Sequence, residues 1–388
     1  MTTVRIGIIG IGGMGSGHAN YLIKGEVKNA VLTAVCDIRP ERLEWAQKEL
    51  GDKVARFSDY NELLDSGLVD MVMIATPHYL HPVIGIAAFE KGINVLSEKP
   101  IGVYTKAVEE LMAAAKKSGK LFGIMYNQRT NPMFQKVRKL VKDGELGDLK
   151  RVIYIITNWY RSQSYYDSGT WRATWSGEGG GVLINQCPHN LDLWQWICGM
   201  PVKVRAFCKF GKYHNIEVED DVTAYVEYEN GATGVLMTTT GEAPGTNRLE
   251  IAGTKGKIVC EDNKATFYRL SQDEREFNAT HTGGFGAPGC DVIEEYVFQN
   301  GGPAHKGITQ NFVDALLTGS PLLAPGEEGI LGLTISNAIH LSSWTDDWVT
   351  LPIDKELYLQ ELNKRIAESK VKKEASGAVM DVNGTFNQ

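Results

Sequence analysis

The sequence predicts an α/β protein in two parts: a doubly wound parallel sheet, then an α+β region built on a largely antiparallel sheet. Three observations carry this expectation. Short apolar runs alternate with helical stretches up to about residue 126. A glycine-rich turn, Gly10-Ile11-Gly12-Gly13-Met14-Gly15, joins the first run to the first helix. Beyond residue 200, closely spaced apolar runs joined by glycine turns replace the alternation.

In order, the expected strands of the first part are 4–9, 30–36, 54–57, 70–75, 94–97 and 121–125. Most are apolar on both faces, and stretches such as 40–50 and 80–91 show helical spacing between them. Strands buried on both faces and separated by helices specify a parallel sheet covered on each side. A helix at 132–142 and a strand at 151–158 follow, then a loop rich in Gly, Trp and Tyr, and a buried helix at 182–198. Strands 222–228 and 234–240 flank Asn230-Gly231, a two-residue hairpin signal. Runs 249–252 and 257–260 read as another hairpin, and polar, glycine-rich 272–302 as a long loop. The expected divisions are a dinucleotide-binding domain at 1–126, a substrate and oligomerisation domain at 127–375, and a tail at 376–388.

Composition narrows the function. A net charge of −7 argues against nucleic acid or an anionic membrane as principal partner. No apolar run approaches the roughly 20 residues of a membrane span, and a strand pattern begins by Val4, leaving no room for a secretory leader. Six cysteines without a CxxC pair read as reduced thiols of a cytoplasmic protein.

The glycine turn has the context of a dinucleotide site. Gly10 allows the tight turn, Gly12 admits a pyrophosphate close to the backbone, and Gly15 lets helix and strand pack closely. With Gly13 and Met14 they open a helix whose N-terminus favours anions. Asp37 ends the next strand, where a carboxylate accepts from adenosine ribose hydroxyls and repels a 2'-phosphate. NAD is therefore expected over NADP, although Arg39 is placed to offset a phosphate. Thr76-Pro77 ends the fourth strand at the ligand edge, with His81 close behind. His78 and His81 have no third partner at zinc-like spacing, so no metal is expected.

Glu98-Lys99-Pro100 ends the fifth strand at the same edge, with Pro100 biasing how Lys99 projects. A lysine beside a positively charged nicotinamide has its ammonium form disfavoured and is suited to hydrogen-bond a substrate hydroxyl. Further on, Gly179-Gly180-Gly181 precedes Asn185, His189 and Asp192. On a helix these three share one face, with His189 the natural base near neutral pH. Asp192 or Asn185 is then expected to orient its ring. Asn158, Tyr160, Arg161, Trp171, Arg172 and Trp175 lie before His189, and flat aromatics with planar hydrogen-bonding groups suit a polyol ring. Trp194 and Trp196 read as core.

The glycine motif, Thr76-Pro77, Glu98-Lys99-Pro100 and the Gly179–Asp192 segment together resemble the Gfo/Idh/MocA family of sugar and inositol oxidoreductases over nearly the whole chain. The resemblance implies that Lys99 and His189 form the catalytic pair, that Glu98 and Asn127 join the cofactor contacts, and that the stretch Tyr126-Asn127-Gln128-Arg129 faces the cleft. It also implies pairing through the second sheet into homodimers or homotetramers. Many members carry aspartate four residues before the histidine, where this chain has Asn185. Asparagine can position a hydroxyl but cannot relay a proton.

The expected activity is NAD-dependent oxidation of a secondary hydroxyl of a cyclic polyol, an inositol or a pyranoside. His189 accepts the proton, Lys99 assists and Asn185 holds a neighbouring hydroxyl. Two rivals stand beside it: a glycoside-cleaving enzyme that retains NAD through transient oxidation and elimination, and a non-catalytic sugar or nucleotide sensor.

Overall fold

The computed structural model describes residues 2–290 and 292–370; the expected tail at 376–388 lies outside them. Six strands form the first sheet: β1 (Val4–Ile9), β2 (Ala30–Cys36), β3 (Ala55–Phe57), β4 (Met71–Ile74), β5 (Asn94–Ser97) and β6 (Phe122–Ile124). Their order is β3-β2-β1-β4-β5-β6, and every pairing is parallel. The helices between them are α1 (Gly13–Ile23), α2 (Pro40–Leu50), α3 (Tyr60–Asp65), α4 (Leu80–Glu90) and α5 (Thr105–Ser118). Ile6, Ile8, Val72 and Val95 are wholly buried, as both-face coverage requires. Strand order reverses between β1 and β4, and in such sheets the crevice beyond the carboxyl ends at that point receives ligands.

Helix α6 (Pro132–Lys142) leads into a nine-stranded sheet. Its central strand, β7 (Leu149–Ile156), runs antiparallel to one neighbour and parallel to the other. Two short helices follow β7, namely α7 (Gln163–Asp167) and then α8 (Pro188–Cys198). The remaining strands are β8 (Lys203–Phe210), β9 (Glu219–Glu227), β10 (Thr233–Thr239), β11 (Asn247–Gly253), β12 (Gly256–Glu261), β13 (Lys264–Arg269), β14 (Val292–Val297) and β15 (Val349–Thr350). Four helices complete the described chain: α9 (Glu274–Thr280), α10 (Ala304–Thr318), α11 (Gly329–Thr345) and α12 (Lys355–Glu368). Among the described residues, no helix is long and apolar enough to cross a membrane.

Three expectations are corrected. The helix at 182–198 begins only at Pro188, and 182–187 forms turns instead. Proline has no N–H and tolerates the first helical position, so it starts the helix rather than sitting within it. The 272–302 stretch is not one loop, because it contains α9 and the edge strand β14. The Asn230-Gly231 hairpin closes with three residues, not two. Tyr228 N–H donates to Ala232 C=O at 2.9 Å, Gly231 alone takes positive φ (+84°), and Asn230 Oδ1 accepts from Ala232 N–H. This is a three-residue turn ending in a left-handed glycine.

Helix α10 returns to the first sheet. Phe312 packs over β6 so closely that a Cβ on Gly123 would sit 2.8 Å from its ring. Tyr21 on α1 also meets Thr309 on α10 at 2.8 Å.

Candidate active site

The carboxyl ends of β1, β2, β4, β5 and β6 deliver Gly10, Asp37, Thr76, Lys99 and Tyr126 to one crevice. Gly10 takes φ +89°, and a Cβ there would lie 2.7 Å from Ala75 O. A Cβ on Gly15 would lie 1.8 Å from Gly10 O, so only glycine fits where α1 crosses the turn. Gly12 faces open space, its nearest neighbour being Arg39 Nη2 at 3.9 Å. G15A is expected to force the turn off the helix at about 1–3 kcal/mol and to weaken NADH binding correspondingly. A fluorescence titration of NADH checks this; an unchanged Kd would show that the cradle tolerates the shift.

Asp37 is held by N–H groups of Ile11 (2.9 Å) and Arg39 (3.0 Å), and Arg39 Nε lies 3.5 Å away. Among the described residues, Thr76 Oγ1 and Asn127 Oδ1 are buried with no hydrogen-bond partner. Buried polar groups left in that state are rare, and a bound ligand would satisfy them. The glycine cradle, the carboxylate at the end of β2 and these two orphaned oxygens fit an NAD molecule.

Two of the expected cofactor contacts are otherwise engaged. The His81 ring is buried between carbonyls of Thr76 and Pro100, 2.7 Å from each, and supports the loop rather than a ligand. The Glu98 carboxylate meets His18 Nε2 at 2.6 Å and accepts Lys99 N–H at 3.1 Å. Burial pushes Glu98 up, but the His18 hydrogen bond and charge, with His305 and Lys99, outweigh it and hold the group at about 2. His18 continues through the Tyr21 hydroxyl (2.9 Å) to Thr309 (2.8 Å). Sequence reasoning missed His18; its one signal is a histidine on an otherwise buried apolar face of α1.

With Glu98 turned to His18, the Lys99 amine reaches the other way and donates to the Asn185 carbonyl at 2.9 Å. Burial lowers the Lys99 pKa; Arg161 and Arg172 add to this, while Glu98 and Glu178 oppose it. His189, on the first turn of α8, is 8% exposed. Burial, then the charges of Lys99 and His305, drive its pKa well below the ordinary histidine value. His305 lies on α10, its ring 5.7 Å from that of His18.

Asn185 and Asp192 do not orient His189. Asn185 sits in the turns before α8, and its amide donates to the Glu178 carboxylate. Asp192 is bound by Arg129 through Nε (2.8 Å) and Nη2 (2.6 Å). Arg129 is itself fully buried, with Nη1 also on Glu328 (2.5 Å) and the Leu323 carbonyl (3.1 Å). It therefore ties elements together rather than facing substrate. Trp175 is likewise core, packed on His340 and Trp344.

The expected substrate residues separate into two groups. Asn158 and His189 line one cavity of about 200 Å³ with Gln128, from the stretch expected to face the cleft, and with Trp159 and Asn190, which sequence reasoning leaves out of the substrate contacts. Arg172 lies over Trp171 and Tyr165, and Trp171 meets His78 edge-on at 5.5 Å. His78 in turn reaches the Glu178 carbonyl at 3.1 Å. Tyr160 is 52% exposed.

Comparison with known proteins bears on the family, the fold and the cofactor. Residues 4–126 match the family model described as "Oxidoreductase family, NAD-binding Rossmann fold", and 134–259 match the "GFO/IDH/MocA C-terminal domain". The chain is 24% identical over 347 residues to myo-inositol 2-dehydrogenase of Thermotoga maritima, covering 87% of this chain and 96% of that one. It is 29% identical over 265 residues to scyllo-inositol 2-dehydrogenase (NAD(+)) of Bacillus subtilis, covering 66% and 73%. The WlbA dehydrogenase of Bordetella pertussis, crystallised with NADH and UDP-GlcNAcA, superposes with a TM-score of 0.76 at 26% identity. That match covers 91% of this chain and all of the other.

Proposed function

The chain belongs to the Gfo/Idh/MocA oxidoreductase family, and from that premise we propose that it oxidises a secondary hydroxyl of an inositol or pyranoside to a ketone. NAD is the cofactor; when bound, it accepts the hydride leaving the carbinol carbon. What supports the proposal is that Lys99 lies near enough for its charge to act on the His189 ring, while burial pushes both groups towards their neutral forms. Oxidation of CH–OH releases a proton as well as a hydride, and that proton needs a neutral acceptor beside the hydroxyl. His189 takes it. Lys99, anchored on the Asn185 carbonyl, donates a hydrogen bond to the hydroxyl oxygen and fixes where it sits. Asn158, with the other polar residues of the cavity beside His189, receives further hydroxyls. Trp171 and Arg172 flank the approach from the Lys99 side, and the inositols named for two relatives support a polyol there.

The test is a panel of inositols and pyranosides with NAD, read as NADH absorbance, and of the matching ketones with NADH. Turnover of at least one polyol is expected. Release of an aglycone without net NADH would replace this reading by redox-assisted glycoside cleavage. Binding without turnover in either direction would replace it by a sensor.

A further inference from the structure

Glu178 has no part in the mechanism so far, yet it is 2% exposed and lies against the substrate-facing turn. One carboxylate oxygen accepts the Ala173 N–H at 2.5 Å, and the other accepts the Asn185 side-chain amide. Asn185 is also the residue whose carbonyl holds Lys99. We propose that Glu178 is a positioning residue that fixes the Asn185 amide with its oxygen towards the substrate, so that this oxygen accepts a hydrogen bond from a hydroxyl next to the one oxidised. The proposal rests on the polyol reading and names the recognition chemistry of the same site.

The argument follows from donor and acceptor inventories. An ionised carboxylate only accepts, so the asparagine must turn its NH2 towards Glu178 and its Oδ1 away. An amide free to turn would present either end, its N–H as well as its oxygen, to the hydroxyl. Burial, helped by the charge of Glu219, raises the Glu178 pKa on balance, although Arg172, the Ala173 N–H and the Asn185 amide oppose that rise. Two N–H donors, one on each oxygen, suit the ionised form. In this chain the acceptor is made by orientation, with the charge set back on Glu178. Sequence reasoning missed this because Glu178 directly precedes the glycine run, where a carboxylate reads as part of a loop.

Glu178→Gln tests the idea with little change in shape. The Ala173 N–H pins the oxygen of the introduced amide at its end, which puts the new NH2 opposite Asn185 and turns the asparagine oxygen away from substrate. E178Q is expected to raise KM for the preferred polyol on the order of tenfold, the scale of one well-placed hydrogen bond, with a smaller change in kcat and none in NADH binding. The double variant E178Q/N185D restores an acceptor facing substrate, because an aspartate accepts from the introduced amide and from the hydroxyl together. It is expected to recover most of the lost affinity. An E178Q enzyme with unchanged KM, or a double variant no better than E178Q, would overturn the proposal.

A readout without substrate separates this inference from the polyol reading. In 15N-asparagine-labelled protein, with the Asn185 side-chain signal assigned by its loss in N185D, that signal is expected far downfield of free amides. It should move upfield in E178Q. A signal at the free-amide position in both proteins would refute the orientation whatever the substrate proves to be.

Discussion

His189→Ala is expected to lower kcat for polyol oxidation by about 10²–10⁴-fold, the usual contribution of a positioned general base, with NADH affinity unchanged. The separation follows from placement. The glycine cradle follows β1 and Asp37 follows β2, whereas His189 stands on the first turn of α8. Folding should survive as well, because the α8 side chain that anchors the helix to Arg129 is Asp192 and not His189. The pH profile adds a second signature. Burial and the charges of Lys99 and His305 hold His189 well below its ordinary 6.5. The neutral base therefore persists as pH falls through 6.5, and the acid limb of kcat/KM should lie below that value. H189A should lose this limb along with the rate. Wild-type-like kcat in H189A, or an acid limb at the same pH in both proteins, would transfer the proton acceptor to another group. Lys99→Met provides the contrast: it removes the donor that fixes the hydroxyl and leaves the base in place.

The parallel sheet is legible because its strands are apolar on both faces and punctuated by helices, a pattern with few alternative folds. The cofactor site is legible for a related reason. A backbone that must approach a phosphate admits only glycine, and that need is local in sequence. What stays hidden depends on contacts far apart in the chain. Arg129 reads as a substrate residue because it follows β6 at the ligand edge. Its partners Asp192 and Glu328 lie 63 and 199 residues away, and nothing at position 129 announces them. His81 and Glu98 likewise carry the chemistry of a ligand site but are engaged by Thr76, Pro100 and His18. The helix expected at 182–198 is too long because apolar spacing continues through 182–187, where Pro188 sets the true start. Asn185 stands out in the sequence for the charge it lacks, but the carboxylate beside it is seen only once the turn is folded.

Arg129→Ala is expected to destabilise the protein by about 3–5 kcal/mol, the cost of leaving a buried charge without its partner. The guanidinium is inaccessible, doubly bound to Asp192 and bound also to Glu328, and lies over the rings of Tyr126 and Trp196 at 5.4 and 5.2 Å. It joins the turn after β6, the helix carrying His189 and the segment before α11, so its loss loosens the placement of the base as well as the fold. Urea unfolding followed by circular dichroism measures the change. Its pH dependence identifies the cause. Burial already raises the Asp192 pKa, and the Arg129 hydrogen bonds and charge, with Gln195, oppose that rise. Without Arg129 the folded-state pKa climbs further above its unfolded value of about 4, so folding then favours the protonated acid. The deficit of R129A should accordingly be largest near neutral pH and shrink as pH falls and Asp192 takes up a proton. Replacing both partners, R129M with D192L, removes the charge together with its counter-charge and should cost less than R129A alone. A double variant as unstable as the single one, with a deficit independent of pH, would mean that Arg129 acts by packing against Tyr126 and Trp196 and not through the ion pair.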